Sequence, residues 1–238
     1  MTDEEIRLAA IKFARRNKDA IARELTDTEK YLPDNIPISV FMAGSPGAGK
    51  TEFSKNLISI LEKDPNRHVI RIDADEIRPR MPDYTGHNSH LFQGAVSIVT
   101  DRIHDFVLKK KQSFIFDSTF AKYDKAIANI NRSLEHGRPV DIFYLYQKPH
   151  VAWKFTEARE KTEGRNIPKS AFIEEFFGAQ DTVNRIWQKF QQKVTIFLVK
   201  KDFEKNIVEE ILELKSGDGV VDDYIKEHYT KDELEKIL

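Results

Sequence analysis

The chain has 238 residues, of which 40% are hydrophobic, so it is long enough and apolar enough to bury a substantial core. Charged residues make up 32% of the total yet nearly cancel to a net charge of −1, which argues against a nucleic-acid or anionic-membrane partner. The absence of cysteine excludes disulfides, thiolate zinc sites and cysteine nucleophiles. Because the first residues are acidic and no apolar run approaches about 18 residues, we expect a cytoplasmic protein without a membrane span.

Residues 3 to 25 have the pattern of an amphipathic helix that begins at a capping Thr2 or Asp3. Its apolar side consists of Ile6, Ala9, Ala10, Phe13, Ala20, Ile21 and Leu25. We expect this side to pack on the main domain, and a partner-binding or inhibitory helix is the alternative. Pro33 and Pro37 then mark a linker, so residues 1 to 35 are predicted to form an N-terminal helical segment.

The next segment predicts a buried strand at residues 38 to 42 and a helix at residues 51 to 61. Between them stands the phosphate-binding pattern G-x-x-x-x-G-K-[ST], made of Gly44, Ser45, Pro46, Gly47, Ala48, Gly49, Lys50 and Thr51. Backbone N–H groups of such a loop and of the first helical turn form a nest for polyphosphate oxygens. We predict that Lys50 reaches the β- and γ-phosphates of a nucleoside triphosphate and that the Thr51 hydroxyl ligates Mg²⁺.

The rest of the chain alternates short apolar strands with helices. Strands are predicted at residues 68–72, 113–117, 140–146 and 194–199, and helices near 91–110, 122–136, 150–162 and 169–192. The polar segment 79–90 predicts a functional loop, and the tail from residue 203 predicts a helical region broken by Gly217 and Gly219.

This alternation predicts an α/β fold in which helices cover both faces of a parallel sheet. We expect the main domain at residues 36–200 and a C-terminal helical extension at residues 201–238. Ligands of such sheets bind beyond the carboxyl ends of the strands. That rule places the phosphate-binding loop and the acidic residues that follow the strands on one rim.

Acidic residues follow two of the predicted strands. If the strand predicted at residues 68–72 continues to residue 75, the Asp73 and Asp75 side chains face the same side. One carboxylate could then orient water on Mg²⁺, and the other could accept a proton from an attacking hydroxyl. The alternative is that one of them caps a following helix. Asp117 ends the next strand and is predicted to be a direct or water-mediated partner of Mg²⁺, with a turn-forming residue as the alternative.

Two arginines stand near the end of the helix predicted at residues 150–162. Arg159 and Arg165 would lie on different sides of one continuous helix, but Gly164 and Pro168 predict a break between or just after them. Both guanidinium groups could then converge on a transferring phosphoryl group and neutralise its developing charge. A pair of solvated surface arginines is the alternative.

Taken together, the phosphate-binding loop, residues 71 to 75, residues 116 to 120, and Arg159 and Arg165 before Ile167-Pro168 resemble the zeta toxin family over residues 36 to 200. The family consists of bacterial P-loop kinases, usually partnered by a small epsilon-type antitoxin, that phosphorylate a sugar hydroxyl of UDP-N-acetylglucosamine. The resemblance implies a P-loop kinase-like fold, ATP and Mg²⁺ as cofactors, and a toxic effect through depletion of that cell-wall precursor.

The resemblance also implies roles for individual residues. Lys50 would grip the transferring phosphate, Asp75 would be the general base on the sugar hydroxyl, and Arg159 and Arg165 would be lid arginines. The resemblance also implies substrate contacts at Asp101, Thr119 and Asn129. Asp101 stands where the best-known member of the family has a glutamate, and Asn129 stands where the family has a different side chain.

This chain departs from the family pattern at two places. The basic residue expected shortly after Thr119 is not matched directly, because Phe120, Ala121 and Lys122 stand there, and the loop from Tyr84 to His90 also differs. These departures leave open a different hydroxyl acceptor, such as a nucleotide or an antibiotic, and a non-catalytic nucleotide-binding regulator. A GTPase is disfavoured because no N-K-x-D follows a later strand.

Overall fold

The computed structural model describes residues 1–164, 167–202, 207–215, 217 and 219–238. The strands are β1 (Ser39–Ala43), β2 (Val69–Asp73), β3 (Ser113–Asp117), β4 (Val140–Tyr146), β5 (Thr195–Asp202) and β6 (Ile207–Glu213). The helices are α1 (Asp3–Leu25), α2 (Lys50–Leu61), α3 (Ala74–Ile77), α4 (Gln93–Lys109), α5 (Tyr123–Glu135), α6 (Pro149–Glu163), α7 (Lys169–Phe190) and α8 (Lys231–Ile237). Short 3₁₀ turns occur at Arg78–Arg80, Ser89–Phe92, Gln191–Lys193 and Val221–Tyr224.

The strands form one sheet in the order β2-β3-β1-β4-β5-β6, in which β1 to β5 are parallel and β6 is antiparallel to β5. Helices cover both faces, which explains why the parallel strands are nearly continuous apolar runs. In β1, Val40 and Met42 join the core under α2, whereas Phe41 and Ala43 join the larger core formed with α1, α4, α5 and α7. The predicted α/β fold is confirmed.

Helix α1 packs along α4. Thr2 caps it, since the Thr2 side chain accepts from the Glu5 N–H and the Glu5 carboxylate accepts from the Thr2 N–H. On its inner side, Ala10, Ala14 and Ile21 are buried. The structure therefore places residues 3 to 25 against the main domain, while the division of the chain into three segments stays a prediction.

The tail differs from the prediction. Residues 207–213 form the edge strand β6, not a helix, and α8 follows only at residue 231. The sequence pattern misleads because Val208 and Leu212 are four residues apart, which is a helical spacing, whereas pairing with the exposed edge of β5 supplies the hydrogen bonds of a strand.

The second difference concerns the acidic pair after β2. The strand ends at Asp73, whose Oδ1 accepts a hydrogen bond from the Asp75 N–H over 2.8 Å and so caps α3. The two residues therefore do not lie on one extended strand. For Asp73, the alternative that it caps a following helix is correct. Asp75 lies in the first turn of α3.

Within the part of the chain that is described, none of the helices has the length and apolar character needed to cross a membrane.

Candidate active site

A cavity of about 740 Å³ opens beyond the carboxyl ends of β1, β2 and β3. Its wall includes the phosphate-binding loop and residues from α3, α4, α5, α6 and α7. The register explains why the acidic residues meet there, since Asp73 at the end of β2 lies opposite Asp117 at the end of β3. Pockets of about 300–1,000 Å³ are typical of small-molecule and cofactor sites.

The phosphate-binding loop joins β1 to α2. Pro46, Gly47, Gly49, Lys50 and Thr51 line the cavity. Gly49 is the N-cap residue of α2, and no side chain accepts a hydrogen bond at this cap. The N–H groups of the first turn of α2 are therefore suited to bind an anion. The remaining loop residues, Gly44, Ser45 and Ala48, are buried behind this wall.

Two contacts fix the path of the loop. The Gly44 N–H donates to the carbonyl oxygen of Thr119 over 3.1 Å, which ties the loop to the end of β3. Gly47 has φ +71° and lies so close to α6 that a Cβ would stand 2.0 Å from the carbonyl oxygen of Ala152. Only glycine fits both the left-handed conformation and the close approach.

Lys50 lies inside this loop. Its ammonium donates to the carbonyl oxygens of Gly44 over 2.8 Å and of Ser45 over 2.6 Å. A phosphate oxygen is a stronger acceptor for an ammonium than a neutral carbonyl, because the hydrogen bond is assisted by charge on both partners. The position of Lys50 therefore suits the role that the sequence predicts for it.

Arg71, whose side chain is 8% exposed, links the two acidic strand ends. Arg71 ion-pairs with Asp73 and Asp117, and its Nη2 lies 2.8 Å from Asp117 Oδ2. The hydroxyl of Ser54 on α2 also donates to Asp117 Oδ2, over 3.0 Å. Burial and the neighbouring Asp75 and Asp117 carboxylates raise the pKa of Asp73 to about 6, although Arg71 acts in the opposite direction.

The oxygens that would hold Mg²⁺ lie on the same wall. Thr51 and Asp117, which carry the predicted hydroxyl and carboxylate ligands, both line the cavity. Within the described ranges, no group of three or more His, Cys, Asp or Glu residues is arranged to hold a metal by itself. Magnesium in nucleotide sites is bound by one or two protein oxygens together with phosphate oxygens, so this donor set fits a metal that is carried in with a nucleotide.

Asp75 and Arg159 meet across the cavity. Asp75 Oδ2 lies 3.7 Å from Arg159 Nη2 of α6, and its other oxygen, Oδ1, is paired with Nη1 of Arg78. The Asp75 side chain is 28% exposed, and Asp75 lines the cavity. The structure thus brings a predicted base and a predicted phosphoryl-binding arginine together. Arg165 lies outside the described residues.

The opposite part of the wall comes from α4, α5 and the segment between β3 and α5. Thr119 and the buried Asn129 line it, and Asn129 Oδ1 accepts from Arg132 over 3.4 Å. Next to Thr119, Phe120 has φ +61°, a conformation that non-glycine residues rarely adopt. Such backbone strain is often found at ligand sites.

Asp101 does not line this cavity. It lies on the surface beside it, where its half-exposed carboxylate is 3.3 Å from the ammonium of Lys125. Its neighbour Thr100 lines the cavity instead, because successive residues of a helix are rotated by about 100° about the axis.

The family model named Zeta toxin matches residues 21–210. The chain belongs to the zeta toxin family. A structural match from the PezAT chromosomal toxin-antitoxin system of Streptococcus pneumoniae has a TM-score of 0.66 at 15% identity, and the alignment covers 92% of this chain and 91% of that one. A chain of the AvrRxo1-ORF1:AvrRxo1-ORF2 complex with ATP has a TM-score of 0.60 at 16% identity, with 85% and 65% covered. At these identities the two structures confirm the P-loop kinase-like fold.

Of the residues that the zeta toxin pattern implies, Lys50, Asp75, Arg159, Thr119 and Asn129 share one cavity wall. Of the two departures from the pattern, the one after Thr119 lies at this site, whereas no residue of the loop from Tyr84 to His90 lines the cavity. Phe120, Ala121 and Lys122, which do not directly match the family's basic residue, all line the cavity, and so does Lys125. The Lys125 ammonium donates to the hydroxyl of Ser97 over 2.5 Å.

Sequence analysis assigns no role to Arg71, Arg78 or Lys125, which all contact predicted site residues. For Arg71 a signal exists, since a charged side chain in the middle of an apolar strand has to be paired when it is buried. For Lys125 the signal is its spacing of three from Lys122 at the start of a helix, which places the two on the same side. Arg78 carries no comparable signal.

Proposed function

We propose that this protein is an ATP-dependent kinase that transfers the γ-phosphoryl group to a sugar hydroxyl of a UDP-activated sugar, with UDP-N-acetylglucosamine as the acceptor. The observation that carries the proposal is that Asp75, Arg159 and the phosphate-binding loop line one cavity. The family match over residues 21–210 supports the same reaction class.

In this proposal ATP is the phosphoryl donor. The N–H groups at the start of α2 bind its phosphates, and Lys50 exchanges the carbonyl oxygens of Gly44 and Ser45 for phosphate oxygens. The ATP-containing AvrRxo1-ORF1:AvrRxo1-ORF2 complex has the same fold and supports this choice of nucleotide. Thr51 and Asp117 would hold Mg²⁺, which neutralises phosphate charge when it is bound.

Asp75 is the general base of the proposed transfer. A hydroxyl of the acceptor attacks the γ-phosphorus, the bond from that phosphorus to the β–γ bridging oxygen breaks, and the hydroxyl proton passes to Asp75. Arg159 lies 3.7 Å from the Asp75 carboxylate, so its guanidinium is placed to neutralise charge on the transferring group. We assign Arg165 the same task, as the resemblance implies.

The acceptor is proposed to bind between α4 and α5. Thr119 and Asn129 would hydrogen-bond it, and the ammonium groups of Lys122 and Lys125 would attract its diphosphate. Asp101 would contribute through its contact with Lys125, because it lies beside the cavity and not on its wall.

We further propose that the protein acts in the cytoplasm as the toxin of a toxin–antitoxin pair, with a small antitoxin protein as its partner. The structural match from the PezAT toxin-antitoxin system supports this. Depletion of an activated cell-wall sugar would be the route to toxicity.

The test is incubation of the purified protein with ATP, Mg²⁺ and UDP-N-acetylglucosamine, with the products identified by mass spectrometry. We expect ADP and an acceptor that has gained one phosphate group. Lys50→Ala is the control and should form neither product, because it removes the cation that binds the transferring phosphate. ADP formation with an unmodified UDP-sugar would refute this acceptor.

A second candidate keeps the reaction and changes the acceptor to another small hydroxyl compound, such as a nucleotide or an antibiotic. It is favoured by the segment Phe120-Ala121-Lys122, which lines the cavity and does not directly match the basic residue of the family pattern. A panel of such acceptors in the same assay separates the two candidates. Nucleotide binding without transfer to any of them would instead indicate a non-catalytic regulator.

A further inference from the structure

Two arginines of the described residues, Arg78 and Arg159, pair with the proposed base, and Arg78 is the less exposed of the two. Its side chain is 6% exposed, against 38% for Arg159, and it follows α3 directly in the 3₁₀ turn Arg78–Arg80. Arg78 Nη1 pairs with Oδ1 of Asp75, and Nη2 donates to Oε1 of Gln93 over 3.0 Å. The guanidinium is therefore held at two points, by the base itself and by the first residue of α4.

This contact divides the two oxygens of Asp75 between different partners. Oδ1 is taken by Arg78 from the same local segment, and Oδ2 faces Arg159 on the other side of the cavity. A carboxylate on an isolated side chain rotates about χ2 with little preference for one angle. A planar guanidinium fork that is itself anchored fixes that rotation more firmly than a flexible ammonium can.

From this geometry we infer that Arg78 is a positioning residue, which holds Oδ1 of Asp75 so that Oδ2 faces the reacting hydroxyl. The inference rests on the proposed function, because it gives Asp75 the role of general base. Arg78 acts through Asp75 and does not bind the acceptor. Its loss should therefore slow the transfer step without weakening the binding of either substrate.

The chain supplies a matched control two residues away. Arg80 belongs to the same 3₁₀ turn, but it is paired with Glu24 of α1 over 2.8 Å and does not line the cavity. Arg78→Gln and Arg80→Gln each remove one positive charge from this turn. Only the first leaves Asp75 without its anchored partner.

Steady-state kinetics of the two variants provide the first measurement. We expect Arg78→Gln to lower kcat about 10- to 100-fold, because misplacement of a reacting group by about 1 Å costs up to about 100-fold. The KM values for ATP and for the acceptor should stay within about twofold. Arg80→Gln should keep wild-type kcat. A raised KM for the acceptor with unchanged kcat would overturn the inference, since it would make Arg78 a binding residue.

A double-mutant cycle provides a measurement that a purely structural role would not affect. In an Asp75→Asn background, Arg78→Gln should cause no further loss of single-turnover rate, since the carboxylate that it positions is gone. If the losses of rate caused by the two substitutions multiplied in the double variant, the inference would be overturned. If Arg78→Gln does not fold, Arg78→Lys is measured in the same way, since it keeps the positive charge but lacks the planar guanidinium group. Its kcat is expected to fall about tenfold.

These outcomes also separate the inference from the proposed function. A wild-type protein that transfers phosphate to no hydroxyl acceptor overturns both. An active wild type, combined with an Arg78→Gln variant of unchanged kcat, overturns only the role given to Arg78.

Discussion

Gly47 is the position at which the phosphate-binding loop is most sensitive to a single added methyl group. In Gly47→Ala, the new Cβ would lie 2.0 Å from the carbonyl oxygen of Ala152 and 2.9 Å from the hydroxyl of Thr156. That carbonyl already accepts the Thr156 hydroxyl over 3.0 Å within α6. Because the closest contact is with helix backbone, no side-chain rotation can relieve it.

The displacement follows from these distances. An ordinary contact begins at 3.4 Å, so the loop and α6 must separate by about 1.4 Å. A left-handed conformation costs a residue with a Cβ about 1–2 kcal/mol, part of which is offset because alanine restricts the unfolded chain. We therefore expect Gly47→Ala to lower the free energy of unfolding by at least about 1 kcal/mol and, in addition, to displace the loop.

Gly137→Ala separates these two effects. Gly137 has φ +65°, but a Cβ there would meet nothing within 4 Å. Urea unfolding should show a loss of about 1 kcal/mol for Gly137→Ala and at least as much for Gly47→Ala. Only Gly47→Ala should also weaken ATP binding, measured by titration calorimetry, by at least about tenfold, because it moves the phosphate nest. Wild-type ATP affinity in folded Gly47→Ala would refute the argument.

Four further results are expected. Asp75→Asn should lose phosphoryl transfer while the calorimetric affinity for ATP stays near wild type, and normal turnover would remove Asp75 from the base role. Arg159→Ala should lower kcat more than it weakens ATP binding, and the reverse would make it a simple binding residue. Since burial raises the pKa of Asp73 to about 6, the folded state holds its proton more tightly than the unfolded chain, and the contribution of Asp73 to the free energy of unfolding should fall as the pH rises from about 4 to 6. Asp73→Asn should reduce that fall in urea titrations across this range, and an unchanged slope would contradict the assignment. Ile21→Ala should cost about 2–4 kcal/mol of unfolding free energy, because Ile21 is buried between α1 and the domain, whereas a negligible loss would favour a loosely docked, regulatory helix.

The parallel part of the sheet could be predicted because each strand is a buried apolar run that needs no knowledge of its neighbours. The edge strand β6 could not, because Glu209, Glu210 and Glu213 interrupt its apolar residues and the i, i+4 spacing of Val208 and Leu212 is also that of a helix. Its conformation is decided by the unpaired edge of β5. That information lies outside the segment itself.

The site shows the same contrast between local and distant information. The phosphate-binding loop is local, and the chain that forms it also positions Lys50 and Thr51 at the start of α2. The ion pairs Arg71–Asp117 and Lys125–Asp101 join residues that are distant in the sequence, so no local pattern indicates them. Only the resemblance to the zeta toxin family predicts a substrate contact for Asp101, and a rotation of one residue along α4 places Thr100 on the cavity wall instead.

Backbone contacts join the two sides of the cavity to which we propose that ATP and the acceptor bind. The carbonyl of Thr119 accepts from Gly44 at the start of the phosphate-binding loop, over 3.1 Å. Two residues later, Ala121 is packed so closely on α7 that a Cβ at Gly178 would stand 2.8 Å from its carbonyl oxygen. The segment that carries Thr119 is thus held between the phosphate-binding loop and α7. Because these contacts involve main chain, side chains on this part of the wall can vary without moving the phosphate-binding loop.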